Sequence, residues 1–114
     1  MLTKTKPARS DMDTHRSYLK VPRHESEPWR KAVASLPCVI CWREGDTQAA
    51  HRNERKGMAI KPDDCFTAAL CTSCHADIDQ GSSYTRHDRR ERMDAAILAT
   101  IRQLAIAGLI GVKR

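Results

Sequence analysis

Two Cys-x2-Cys pairs, a histidine between them and a long amphipathic C-terminal stretch with a capping signal predict an α+β fold. Its expected form is a small zinc-stapled ββα finger with an N-terminal helix before it and a long C-terminal helix after it. The pairs are Cys38-Val39-Ile40-Cys41 and Cys71-Thr72-Ser73-Cys74, with 29 residues between them. Soft thiolates suit zinc, and a closed shell of four leaves no open position, so this metal is expected to be structural. The fifth cysteine, Cys65, reads as a small core residue.

The chain has 114 residues, which bounds it to one domain. Residues 1–25 are polar and basic, with Lys4, Lys6, Arg9, Arg16, Lys20 and Arg23, and show no sustained periodicity. Such a segment buries too little surface to offset its ordering entropy, so it reads as a disordered leader, either simply solvated or an arm that grips a polyanion. The folded domain is then 26–114, a size at which a metal staple decides folding. Structural zinc contributes on the order of 10 kcal/mol in small finger peptides.

The elements follow in order. Ser26 suits an N-cap, Glu27 and Pro28 a first turn, and Trp29, Val33 and Leu36 one helical face that Pro37 ends. Trp42 is expected to pack over the zinc site. A short strand over 47–53 carries His51. Residues 54–64 read as a basic loop with a short return strand near Met58–Ile60. Phe66 to Leu70 form an apolar lead-in, and Cys71 opens a helix to about Gln80 that Gly81 stops.

Thr85 with Asp88 makes a capping-box start for the last helix. Met93, Ile97, Ile101 and Leu104 form its apolar stripe, with Leu98 and Ala105 alongside, and Gly108 fits the C′ position with Leu109 folding back. Arg86, Arg89, Arg90 and Arg92 crowd its first turns, where the helix dipole does not favour them. They read either as phosphate contacts or as a solvated arginine face.

A second constellation stands apart from the cysteines. His51 lies on the predicted strand, while His75 and Asp79 sit one turn apart on the predicted helix. Phosphodiester hydrolysis needs a base to activate water and a cation to neutralise charge on the phosphate. A neutral imidazole can be that base, and an imidazole with a carboxylate can hold the cation. Asp64 is placed either to orient His51 or to complete the metal shell. The formal charge of +6 favours a polyanionic partner, while an aromatic content of 4% counts against a stacking platform for single strands.

The order Cys-x2-Cys, His, Cys-x2-Cys-His resembles the HNH, or ββα-metal, endonucleases, a treble-clef-type fold. The run His51-Arg52-Asn53, Lys56-Gly57, Lys61-x2-Asp64, Ala69-Leu70-Cys71-x2-Cys74-His75-x2-Ile78-Asp79-x-Gly81 is similar to the YbcO-like family of small phage and prophage nucleases. Ser35-Leu36-Pro37-Cys38 and Gly108-Leu109-Ile110 fit it too, so the resemblance spans roughly residues 29–111. It implies that His51 is the general base, that His75 ligates a catalytic Mg2+ or Mn2+, and that Asp79 stands where many such enzymes carry a further helix ligand. Where those nucleases commonly have a metal ligand immediately before the base, this chain has Ala50.

The expected activity is therefore metal-dependent cleavage of DNA. Arg52, Asn53, Arg55, Lys56, Lys61, Arg86, Arg89 and Arg90 are the candidate DNA contacts. A zinc-binding DNA adaptor without catalysis, or a phage interaction module, is the alternative. No stretch approaches a membrane span and no secretory segment opens the chain, so the expected location is the cytoplasm of a bacterial host, with no membrane partner.

Overall fold

The computed structural model describes residues 23–52, 62–81 and 84–113. Helix α1 (Glu27–Ala34) leads to strand β1 (Thr47–His51), strand β2 (Thr67–Cys71), helix α2 (Thr72–Gln80) and helix α3 (Arg86–Ile106). The architecture is α+β, as the sequence predicts. No helix among the described residues is long and apolar enough to cross a membrane.

The hairpin differs from the expectation. The return strand expected near Met58–Ile60 lies outside the described residues, and β1 pairs antiparallel with β2, from Thr47↔Cys71 to His51↔Thr67. The apolar lead-in is thus itself a strand. All five of its residues are buried, so it lacks the alternation that marks a half-exposed strand. Its free edge is covered: Val39 N–H donates to Ala69 O (2.9 Å), and Ala69 N–H donates to the buried Thr100 hydroxyl (2.8 Å), which itself donates to Ala96 O (2.8 Å). An unpaired strand edge is a liability, and here a loop and a helix close it.

Because side chains alternate along a strand, the hairpin has two distinct faces. On one, Ala50, Ala68 and Leu70 pack with Ile78 of α2 and Met93, Ala96 and Ile97 of α3. On the other, Ala69, with partly buried Ala49 beside it, meets Val33 and Leu36 of the α1 region and Leu104 of α3. Small residues at 49, 50, 68 and 69 allow close approach from both sides.

The helix ends follow local chemistry. Ser26 caps α1, its hydroxyl accepting from Trp29 N–H (3.1 Å). The helix ends at Ala34, three residues before Pro37, where Ser35 Oγ donates to Ala32 O (2.6 Å). Cys71 caps α2 by accepting from Cys74 N–H, and the Asp46 carboxylate accepts from the Thr72 amide and hydroxyl. At Gly81 an added Cβ would lie 2.3 Å from Asp77 O, so the chain can turn there only without a side chain.

The capping box on α3 is complete, with Thr85 and Asp88 bonding reciprocally. At its other end Gly108 N–H donates to Ala105 O and Leu109 N–H to Leu104 O, with Gly108 at φ 74°, the paired bonds of a Schellman turn. The buried stripe is Met93, Ala96, Ile97, Thr100 and Leu104, with Ile101 partly buried against it. Leu98 and Ala105 are exposed rather than alongside the stripe, because they stand on the side of the helix turned from the hairpin.

Two further expectations change. Trp42 does not bury itself over the cysteines: it is 54% exposed, with its backbone at φ 64°. The last residues of the expected leader, Arg23–Glu25, are tied to the fold. Asp64 N–H donates to His24 O (2.8 Å), His24 N–H donates to Asp63, and Arg23 donates to Pro62 O (3.2 Å). Residues 1–22 of the leader lie outside the described residues.

Candidate metal centre and the His51 cleft

The knuckle at 38–43 closes on itself, Trp42 N–H donating to Cys38 O (2.8 Å) and Cys38 N–H to Arg43 O (2.9 Å). This turn presents Cys38 and Cys41 to the β2–α2 junction, where Cys71 ends the strand and Cys74 lies in the first helical turn. The four sulfurs lie within 4.8 Å of one another, a grouping that can hold a metal ion. Cys41 and Cys71 sulfurs approach to 3.6 Å. Burial works against a thiolate at Cys38, yet the amides of Cys41, Cys71 and Ile40, with the Cys41 thiol, bring it down to about 6. Burial and then the neighbouring sulfurs push Cys74 up. The Cys38 thiolate thus forms readily while Cys74 is held back, an imbalance that a cation among the four sulfurs would resolve.

Cys65 stands outside this group. It is half-buried and belongs to neither core cluster, contrary to the core role expected of it. Burial, with Asp63 and Asp64 beside it, pushes its thiol up.

His51, at the end of β1, turns to the α1 face of the hairpin. Its Nε2 is 2.8 Å from Asp64 Oδ1. Asp64 is 1% exposed, and its other oxygen accepts from Ser26 N–H (2.7 Å) and from Arg30 Nη1. Arg23 Nη1 stands 3.8 Å from Oδ1. Burial alone would raise this carboxyl, but the His51, Ser26 and Arg30 hydrogen bonds outweigh it and hold Asp64 at about 2. An ionised carboxylate only accepts, so His51 donates from Nε2, and in the neutral imidazole it is Nδ1 that carries the lone pair a base needs. Of the two roles expected for Asp64, the geometry matches orientation of His51, since both carboxylate oxygens are already engaged.

Arg23, Glu25, Arg30, His51, Pro62 and Asp64 line an open cleft of about 380 Å³. Arg23, Glu25 and Arg30 were not legible as site residues. Arg30 and Asp64 are 34 positions apart, and no spacing rule links a helix arginine to a distant loop carboxylate. The one available signal was Ser26 as a helix cap, which fixes where α1 begins but not what its amide meets.

His75, on the first turns of α2, donates from Nδ1 to Gln48 Oε1 (2.8 Å), and its Nε2 is 3.1 Å from Asp79 Oδ2. Gln48 and His51 are three positions apart on β1 and so point to opposite faces. The structure therefore brings His75 to Asp79 and His51 to Asp64, but does not bring the two pairs together. Ala50 is on the His75 side, 1% exposed and packed in the core, where its methyl fills the space.

Two of the candidate DNA contacts are held by partners within the chain. Arg52 bonds Asp94 of α3 through Nε (2.7 Å) and Nη2 (3.2 Å), tying the end of β1 to that helix. Arg89 donates to Gly81 O (2.9 Å), which fastens the α2–α3 connection. Arg92 stacks over Tyr84, 4.4 Å from the ring centre. Arg86 and Arg90 are exposed, whereas Asn53, Arg55, Lys56 and Lys61 lie outside the described residues.

Fold and site together define a small α+β protein whose strand–helix junction carries a four-cysteine metal-ligand set. Residues 3–100 match the family described as "Protein of unknown function (DUF968)", and the chain belongs to that family. No curated protein and no solved structure matches it.

Proposed function

We propose that this protein is a zinc-stapled nuclease of HNH type that hydrolyses phosphodiester bonds of DNA, with His51 as general base. The observation that carries the reading is the His51–Asp64 pair: a buried, ionised carboxylate fixes the imidazole tautomer and leaves Nδ1 to take a proton from water. The net charge of +6 suits a polyanionic substrate. Zinc is the metal assigned to Cys38, Cys41, Cys71 and Cys74, because four soft thiolates match it. It has a structural role, with no position left for substrate.

His75 and Asp79 are the residues assigned to Mg2+ or Mn2+. Their facing atoms are 3.1 Å apart, close to the ~3 Å that separates neighbouring ligands of an octahedral ion bound at about 2.1 Å. A cation there would neutralise charge on a DNA backbone that reaches this face of the hairpin, rather than on a phosphate seated beside His51. Its position across the hairpin from His51 favours a second reading, a zinc-binding DNA adaptor that keeps the fold without cutting.

Plasmid nicking measured against Mg2+ and Mn2+ concentration separates these readings. His51→Ala should lower the rate ~10²–10⁴-fold with DNA affinity little altered. His75→Ala should raise the cation concentration needed, with part of the activity returning at high Mn2+, and Asp79→Ala should behave as a milder version. Cleavage by His51→Ala at the wild-type rate overturns the nuclease reading. DNA binding that falls with salt and no scission by the wild type establishes the adaptor.

A further inference from the structure

The cleft beside His51 holds two arginines whose charges the hydrolytic reading does not use. Arg30 is fixed from behind by Asp64, and its side chain remains 38% exposed. Arg23 is fixed by Pro62 O and sits 3.1 Å from Glu25 Oε2. Arg23, Arg30 and Glu25 all line the same cavity as His51. Asp64 is enclosed, with both oxygens occupied by protein donors, whereas the Glu25 side chain is 68% exposed. The two carboxylates thus differ in kind: Asp64 belongs to the framework, while Glu25 rests on Arg23 from the solvent side.

The geometry points to an anion subsite formed by Arg23 and Arg30, which seats a phosphodiester next to His51 without a divalent cation, and in which the Glu25 carboxylate occupies the phosphate's place in the free protein. Guanidinium groups held by acceptors on one edge present their remaining N–H donors in a fixed plane, the arrangement that suits phosphate oxygens. Glu25 is displaced at little cost because exposed ion pairs contribute little. The role of the subsite in catalysis rests on the reading of His51 as the base. Binding of the anion does not.

The test uses the zinc-loaded full chain in buffer without added divalent ion. The probes are inorganic phosphate, a DNA dinucleotide and an RNA dinucleotide, followed through the arginine Nε–H and histidine ring NMR signals. Saturable shifts at Arg23, Arg30 and His51 are expected, weakening with salt. Arg23→Gln should weaken phosphate binding at least fivefold, and Glu25→Gln should strengthen it up to about fivefold. Both substitutions are at exposed or partly exposed positions, and unchanged melting temperatures keep the comparison clean.

His51→Ala should bind phosphate as the wild type does while losing cleavage. No saturable shift, or Glu25→Gln binding no better than wild type, overturns the subsite and leaves the nuclease reading standing on its cleavage data. Phosphate binding with no cleavage by any divalent ion leaves the subsite and removes the nuclease. Equal affinity for the two dinucleotides shows that the phosphate is read, and preference for one shows which sugar the cleft accepts.

Discussion

The cysteine centre and the His51 cleft are built by opposite strategies. The first uses two short local motifs, each a turn with its ligands three positions apart, brought together by one strand pairing. The second draws on a pre-helical segment, the N-terminus of α1, the end of β1 and a loop before β2, with Asp64 at their meeting point. A metal can substitute for packing in the first. In the second, one carboxylate must satisfy several donors at once, so its loss is felt by every element it joins.

The largest test of this contrast is to deny the four cysteines a metal. Chelation, or Cys38→Ser, should unfold the domain cooperatively, since zinc energies on the order of 10 kcal/mol exceed the stability of most small domains. Elemental analysis should find about one zinc per chain in the folded protein, with Cys65→Ser unaffected. Well-folded protein without metal would place the centre among the ordinary packing contacts.

Next in size is Asp64→Ala. It strands the Ser26 amide and leaves Arg30 beside a buried vacancy, so a loss of ~3–5 kcal/mol is expected by chemical denaturation, with zinc content unchanged. His51→Ala removes one donor and should cost far less. Equal losses for the two would mean that His51, not the carboxylate, organises the cleft.

The pH dependence is smaller. Because folding lowers the Asp64 carboxyl from its ordinary 3.8 to about 2, the folded state gains stability that is complete above pH 4. That gain is lost as pH falls from about 4 to about 2, and it amounts to about 2 kcal/mol. Asp64→Asn should lose this component of the acid slope in melting experiments, and an unchanged slope would assign acid sensitivity to other carboxylates.

The smallest effect is expected at Trp42. A non-glycine residue at φ 64° costs energy that glycine avoids, and the exposed indole returns little burial. Trp42→Gly should raise stability by up to ~1 kcal/mol. A fall in melting temperature would show that the indole shields the knuckle after all.

These contrasts also explain what could be read from sequence. The cysteine pairs, the Ser26 cap, the Thr85–Asp88 box and the Gly108 turn are short-range signals whose chemistry is contained within a few residues. They reappear at their expected places. Strand β2 was hidden because Thr67–Cys71 is buried on both faces and has no alternation to display. Asp64 was legible as a partner for His51, yet Arg23, Glu25 and Arg30 were not, because their contacts depend on how α1 docks. The partners of Arg52 and Arg89 within the chain, Asp94 and Gly81 O, were not legible, because charge alone does not reveal which acceptor the fold brings to an arginine.

Cys71 is the last residue of β2, the cap of α2, the partner of Thr47 across the hairpin and one of the four clustered sulfurs. One residue therefore sits at the crossing of strand, helix and sulfur cluster. A newly made chain cannot finish its hairpin and postpone the helix, or start the helix and postpone gathering the sulfurs, without leaving this residue half employed. If an ion seats there, its arrival would close the assembly, and limited proteolysis of chelated protein should then cut first at this junction.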